Sequence, residues 1–245
     1  MIYIFVIISG WLSGSITNYF VDILPRKRKI AYPICTHCEN RLRILNYLIL
    51  SKRCPNCGQI KSWRSWFVNI FFVGSTLFLW LSPPTNIGFL VGLILLIYLA
   101  IVVLIDIEYR VILHPVSIFG VFLCFSIGVW QHTIVRTILG GLIGYGIMLF
   151  LYYLGIFLIR IRSKMRKELT ENEAIGFGDV NLGGVIGLLL GWPAVLLGIT
   201  LTILSSGIVS FVYILFMLIK QKYSSNLSIP YGPFIVIGAL LIYFG

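Results

Sequence analysis

Apolar runs long enough to cross a lipid bilayer, or nearly so, recur along the chain at about 1–21, 66–82, 87–105, 111–130, 134–159, 180–192, 193–219 and 229–244. About 20 helical residues span a hydrocarbon core of about 30 Å, and inside it backbone polar groups must be bonded within the segment, so uninterrupted runs of this length predict α-helices. The expected fold is an all-α polytopic membrane protein of about eight transmembrane helices. The first helix takes residues 1–21, a polar stretch at 22–65 forms a small cytoplasmic loop domain, and 66–245 carries seven spans. The first run starts at Met1 with no basic stretch before it, contains Ser13, Ser15, Thr17 and Asn18, and lacks a convincing cleavage site. It reads as a retained helix, not a signal peptide. The sixth run is the least regular. Asn181, Gly183, Gly184, Gly187 and Gly191 give it a surface of small residues, and Gly191-Trp192-Pro193 ends it early. Such a surface brings helices close in lipid, and the segment either spans or re-enters. Pro115 and Pro230 are expected to loosen two helix starts at the inner face.

Composition agrees: 59% of 245 residues are hydrophobic and 11% charged, which excludes an ordinary soluble domain. A net charge of +11 could suggest nucleic acid, but its placement says otherwise. Ten of 19 Lys/Arg fall between Arg26 and Arg64, five between Arg160 and Lys167, and two at Lys220 and Lys222. An outside N-terminus puts all of these on the cytoplasmic side, as the positive-inside rule requires, and Arg136 alone dissents. The expected partner of these loops is anionic membrane lipid, not nucleic acid. Tyr19, Phe20, Trp63, Trp66, Trp80 and Trp130 read as interfacial anchors.

The 22–65 stretch carries Cys35-Thr36-His37-Cys38 and Cys54-Pro55-Asn56-Cys57-Gly58, two CxxC pairs separated by 15 residues. This is the spacing of zinc-ribbon knuckles, in which four thiolates close a tetrahedral structural Zn²⁺ site. Cys35, Cys38, Cys54 and Cys57 are the expected ligands. His37 is surplus to that sphere, and Cys124, in an apolar run, reads as packing.

Two aspartates sit at the ends of apolar segments: Asp106 in Val103-Leu104-Ile105-Asp106-Ile107-Glu108 and Asp179 in Gly176-Phe177-Gly178-Asp179. A carboxylate near the bilayer costs about 2.5–3.5 kcal/mol at a helix centre, less toward the interface, so its presence points to function. The expected threading puts both at the inner face. Two carboxylates brought together supply one acid and one base. Gly176 and Gly178 would let the backbone turn freely and a substrate strand approach. The competing readings are an N-cap for Asp179 and an ion pair with Arg110 for Asp106. Glu168, Glu171 and Glu173, just upstream, form an acidic patch able to receive a basic peptide.

The chain resembles the type IV prepilin peptidases (prepilin leader peptidase/N-methyltransferases), bacterial inner-membrane aspartic proteases of the GxGD type. The resemblance rests on Gly14-Ser15-Ile16-Thr17-Asn18 followed by Leu24-Pro25, the paired CxxC knuckles, and Leu104-Ile105-Asp106 with a proline nine residues on. It continues through Gly176-Phe177-Gly178-Asp179-Val180-Asn181-Leu182 running into Leu190-Gly191-Trp192, and ends with Pro230-Tyr231-Gly232-Pro233-Phe234. It implies eight transmembrane helices, Asp106 and Asp179 as the catalytic pair, and a prepilin or pseudopilin precursor as substrate, in pilus assembly, secretion or DNA uptake. It also implies N-methylation of the new N-terminus with S-adenosylmethionine. Here the chain departs from the family: Asn181 stands for a usual lysine, the loop between cysteine pairs is short, and Arg64-Ser65-Trp66-Phe67-Val68-Asn69 lacks the acidic residue expected near Asn69. Two other classes would explain parts of the pattern. A proton- or cation-coupled transporter would use both aspartates for ions, but their place at one face and not near the midplane weighs against it, and a zinc-ribbon scaffold would need neither.

Overall fold

The computed structural model describes every residue except 1, 36–37, 39, 43, 45–46, 48–53, 59–61, 83–86, 167–175, 221–229 and 245. Among the described residues eight helices stand where eight apolar runs were read: α1 (Ile2–Lys27), α2 (Trp63–Leu81), α3 (Gly88–Tyr109), α4 (His114–Gln131), α5 (Ile134–Arg166), α6 (Phe177–Leu190), α7 (Ala194–Ile219) and α8 (Gly232–Phe244). Six are long and apolar enough to cross a membrane, while α6 and α8 are shorter. The 14 residues of α6 rise about 21 Å at 1.5 Å each, so the sixth run is a short helix. Large apolar side chains such as Phe122, Leu142, Phe150, Leu204 and Phe211 face outward, as suits a lipid surround and not water.

The chain forms two compact units, Met1–Ile105 and Asp106–Gly245, so their boundary falls inside α3. In the first unit α1 packs along α2. Small residues make this possible: a Cβ at Gly10 would lie 2.9 Å from Val73 Cα, and one at Gly14 2.8 Å from Asn69 Cα. The polar residues that interrupt the first run are buried in this seam. Asn18 Nδ2 donates to Ser65 O and to Asn69 Oδ1, both at 3.2 Å, and Asn69 Nδ2 donates to Ser15 Oγ at 3.4 Å. α1 continues beyond residue 21 to Lys27, and Asp22 within it accepts from both the Arg64 guanidinium and the Tyr47 hydroxyl. Arg26 and Lys27 then occupy its last turn, where the helix dipole favours cations.

In the second unit α6 is the hub, packed against α4, α5, α7 and α8. Its residues are apolar all round and mostly buried, including Val180, Leu182, Val185, Ile186 and Leu189, the pattern of a helix enclosed by others. The small-residue surface does bring a neighbour close. Glycines of α6 meet glycines of α5 so tightly that a Cβ at Gly144 would lie 2.5 Å from Gly183 O, and one at Gly187 3.1 Å from Gly141 Cα. Gly191, with φ 67°, ends α6, its N–H bonding Gly187 O at 2.9 Å. Pro115 is the second residue of α4, where a missing N–H costs nothing.

Candidate active site and cysteine cluster

Asp106 lies in the last turn of α3 and Asp179 in the first turn of α6. Both are buried, with 5% and 8% of their surface exposed, and Asp179 lies within electrostatic reach of Asp106. Two carboxylates 73 positions apart in the chain are therefore both buried in one unit, the charge of Asp106 felt at Asp179. Each has one oxygen tied to a main-chain N–H. Gly176 donates to Asp179 Oδ2 at 3.2 Å, and Gly232 donates to Asp106 Oδ2 at 2.9 Å. Charge-assisted bonds of this kind hold a carboxylate in one orientation while leaving its second oxygen for chemistry.

The N-cap position, the competing reading for Asp179, belongs instead to Gly176. Asp179 occupies the third helical position and reaches back to the cap N–H, half of a capping box that glycine, lacking a side chain, does not return. Nor do the two motif glycines supply turning freedom. Gly176 has φ −74° and ψ 146°, open to any residue, and neither glycine has a positive φ. Gly178 serves packing: a Cβ there would lie 2.9 Å from the Ile112 Cβ. The absence of a side chain lets the link after α3 lie against the start of α6.

Tyr231 and Gly232 were singled out in sequence only as part of a motif, with no role. In the structure the Tyr231 phenol lies within electrostatic reach of Asp179 and 3.3 Å from Ser206 Oγ, beside the bond from Gly232 to Asp106. Asn181 sits two residues past Asp179 and so about 200° around the helix. It lines a groove of about 440 Å³ with His114, Ser117, Tyr145, Val185 and Leu188. Arg110 is in electrostatic reach of Asp106, and its N–H bonds the Asp106 carbonyl oxygen at 2.9 Å. Glu168, Glu171, Glu173 and His37 lie outside the described residues.

In the first unit the four knuckle cysteines converge, their sulfurs within 4.8 Å of one another. Cys35 to Cys57 and Cys38 to Cys54 are each 3.7 Å. That is too long for a disulfide of about 2.05 Å and matches the sulfur–sulfur edge, about 3.8 Å, of a tetrahedron with metal–sulfur bonds of about 2.3 Å. The cluster could therefore hold a metal ion. Main-chain N–H groups of Cys57 and Asn56 pull the Cys54 thiol down to about 6, so at neutral pH it is a thiolate, the form that binds metal. The pairs are framed by Cys35 N–H to Asn40 O and Gly58 N–H to Cys54 O, both 2.9 Å. Nearby, burial and then the Asp22 charge hold the Tyr47 phenol above its ordinary range. It stays protonated and donates to Asp22.

Comparison with known proteins matches two separate stretches of the chain. A profile described as the type IV leader peptidase family matches residues 93–215, and one described as the bacterial peptidase A24 N-terminal domain matches residues 8–82. Three relatives carry the name prepilin leader peptidase/N-methyltransferase. That of Pseudomonas putida is 26% identical over 212 residues, covering 83% of this chain and 68% of the relative. That of Aeromonas hydrophila is 26% identical over 226 residues, covering 89% and 72%. That of Stutzerimonas stutzeri is 24% identical over 244 residues, covering 92% and 72%. No solved structure matches the chain.

Proposed function

The chain belongs to the type IV leader peptidase family, and on that premise we propose that it is a membrane aspartic endopeptidase that removes the short basic leader of type IV prepilin-like precursors. The observation that carries the reading is the pair of buried carboxylates, Asp106 and Asp179, each steadied by a glycine N–H, with the charge of Asp106 felt at Asp179. A pair sharing one proton provides what peptide hydrolysis needs. One carboxylate takes a proton from water as its oxygen attacks the scissile carbonyl carbon. The other gives a proton to the departing amine as the C–N bond breaks. The two roles belong to the pair as a whole, not to fixed members.

The substrate is a single-spanning precursor whose scissile bond lies at the cytoplasmic boundary of the bacterial inner membrane. Basic residues clustered in the loops at 22–65, 160–179 and 220–228 support that orientation. Glu168, Glu171 and Glu173 receive the basic leader; reversing all three charges should impair cleavage of a basic leader more than of a neutralised one, and equal impairment would sink this assignment. Cys35, Cys38, Cys54 and Cys57 hold a structural Zn²⁺, which when bound supplies the folding energy of a loop too small to bury much apolar surface.

The deciding experiment co-expresses a prepilin with wild type, Asp106→Asn and Asp179→Asn, verifies membrane insertion of each, and records cleavage and product mass. Loss of cleavage in both inserted variants is the expected result, and unimpaired cleavage in either overturns the reading. One methylene of extra mass on the new N-terminus assigns S-adenosylmethionine-dependent methylation to this chain as well. An unmodified product confines it to proteolysis.

A further inference from the structure

Resting on the peptidase reading, we infer that the entry to α8, Tyr231 and the first helical residue Gly232, is a positioning element of the site. It holds Asp106 through the Gly232 N–H, while the Tyr231 hydroxyl, bonded by Ser206 Oγ, lies in the field of Asp179. Helix starts carry N–H groups with no partner inside the helix, and here they are disposed of in an unequal way. Pro233 has none to offer. The N–H groups of Phe234 and Ile235 turn back to Tyr231 O at 3.1 and 3.3 Å. The N–H of Gly232 is left for the Asp106 carboxylate, which it meets at 2.9 Å in a buried position 126 residues away in the chain.

Space is as restrictive as bonding. A Cβ at Gly232 would lie 2.6 Å from Asp106 Oδ2 and 3.1 Å from its Cγ, so any other residue here displaces the carboxylate. The helix has little room to back away, because α8 is pressed on α7. A Cβ at Gly238 would lie 2.6 Å from Gly198 O and 3.2 Å from Thr202 N. One residue before Gly232, Tyr231 stands between Ser206 on α7 and the field of Asp179. Two adjacent residues thus address both aspartates, and the separation of the pair depends on where α8 begins. The other groups in electrostatic reach are Arg110 for Asp106 and Asp106 itself for Asp179.

The test uses the full chain in proteoliposomes with a prepilin substrate, measuring kcat, KM and the pH profile of kcat. Gly232→Ala keeps the N–H but forces the carboxylate to move. Expected is a fall in kcat of about a hundredfold, the cost of a misplacement of about 1 Å, with KM held within about twofold and the pH profile displaced. Tyr231→Phe, which keeps the ring and removes the hydroxyl, is expected to displace the pH profile without raising KM. Gly146→Ala, in open space on α5, is the control for replacing a helical glycine. Unchanged kcat and superimposable profiles in both variants overturn the inference, and so does a rise in KM alone. If Gly232→Ala fails to insert, Tyr231→Phe decides by the same criteria. Wild type that does not cleave, or an active Asp106→Asn variant, fails the peptidase reading itself and is thereby told apart.

Discussion

At the residue scale, the two glycines before Asp179 are not equivalent. A Cβ at Gly176 would sit 3.6 Å from Asp179 Oδ2, an ordinary contact, with φ already in a common region. A Cβ at Gly178 would meet a branched side-chain carbon of Ile112 at 2.9 Å. Gly178→Ala is therefore expected to lower kcat at least tenfold, since displacing the start of α6 displaces Asp179, while Gly176→Ala costs less than about threefold, the N–H to the carboxylate being retained. Combining Gly178→Ala with Ile112→Ala should recover activity, and cleavage assays on the three variants check the order. The tetrapeptide was legible as a motif because its spacing is local. Which glycine is indispensable was not, because the atom that decides it belongs to a link 66 positions earlier. The same holds for Gly232, whose contact with Asp106 is a main-chain bond and leaves no trace in side-chain pattern. The first helix, read to residue 21, runs on to Lys27, and Asp22 within it is matched by Arg64 and Tyr47 from farther along the chain. Arg64→Ala leaves that carboxylate half satisfied, and a loss of about 1–3 kcal/mol should appear in denaturant unfolding of the detergent-solubilised protein.

At the element scale, hydropathy gave the helices and their order because lipid enforces internal hydrogen bonding on any crossing segment. It left open whether α6 spans or re-enters: the helix is as apolar as its neighbours but is enclosed by them, so its composition reflects burial in protein and not length in lipid. The glycine face of α6 announced a close partner. The partner's own face, Gly140, Gly141 and Gly144 on α5, completes the seam. Because these helices approach backbone to backbone, Gly187→Ala overpacks the seam and is expected to destabilise the second unit by about 1–3 kcal/mol. Gly146→Ala, two residues beyond the seam in open space, should be neutral or stabilising by up to about 1 kcal/mol through helix propensity. Parallel unfolding titrations of the two variants separate packing from propensity.

At the scale of the whole molecule, the chain divides its chemistry between its two units. The cysteine cluster and the Asp22–Arg64–Tyr47 network lie in Met1–Ile105, whereas Asp106, Asp179, Gly176, Tyr231 and Gly232 all lie in Asp106–Gly245. The hydrogen bonds that orient both carboxylates thus close within one unit and use no residue of the cysteine loop. A metal held by four thiolates has no open position for substrate chemistry, so on the proposed reading a Zn²⁺ bound by the cluster would order its own loop. Stripping it with a strong chelator, or replacing Cys54 and Cys57 by serine, should make the basic stretch between Arg26 and Arg64 sensitive to trypsin while the helical circular dichroism of the membrane segments persists. Under the same treatment kcat for prepilin cleavage should fall by less than about tenfold, since a loop that is only disordered leaves the carboxylates in place. Abolished cleavage with the helices intact would instead require the ordered loop to take part in presenting the substrate, and KM, measured across the titration, distinguishes that outcome from loss of the site.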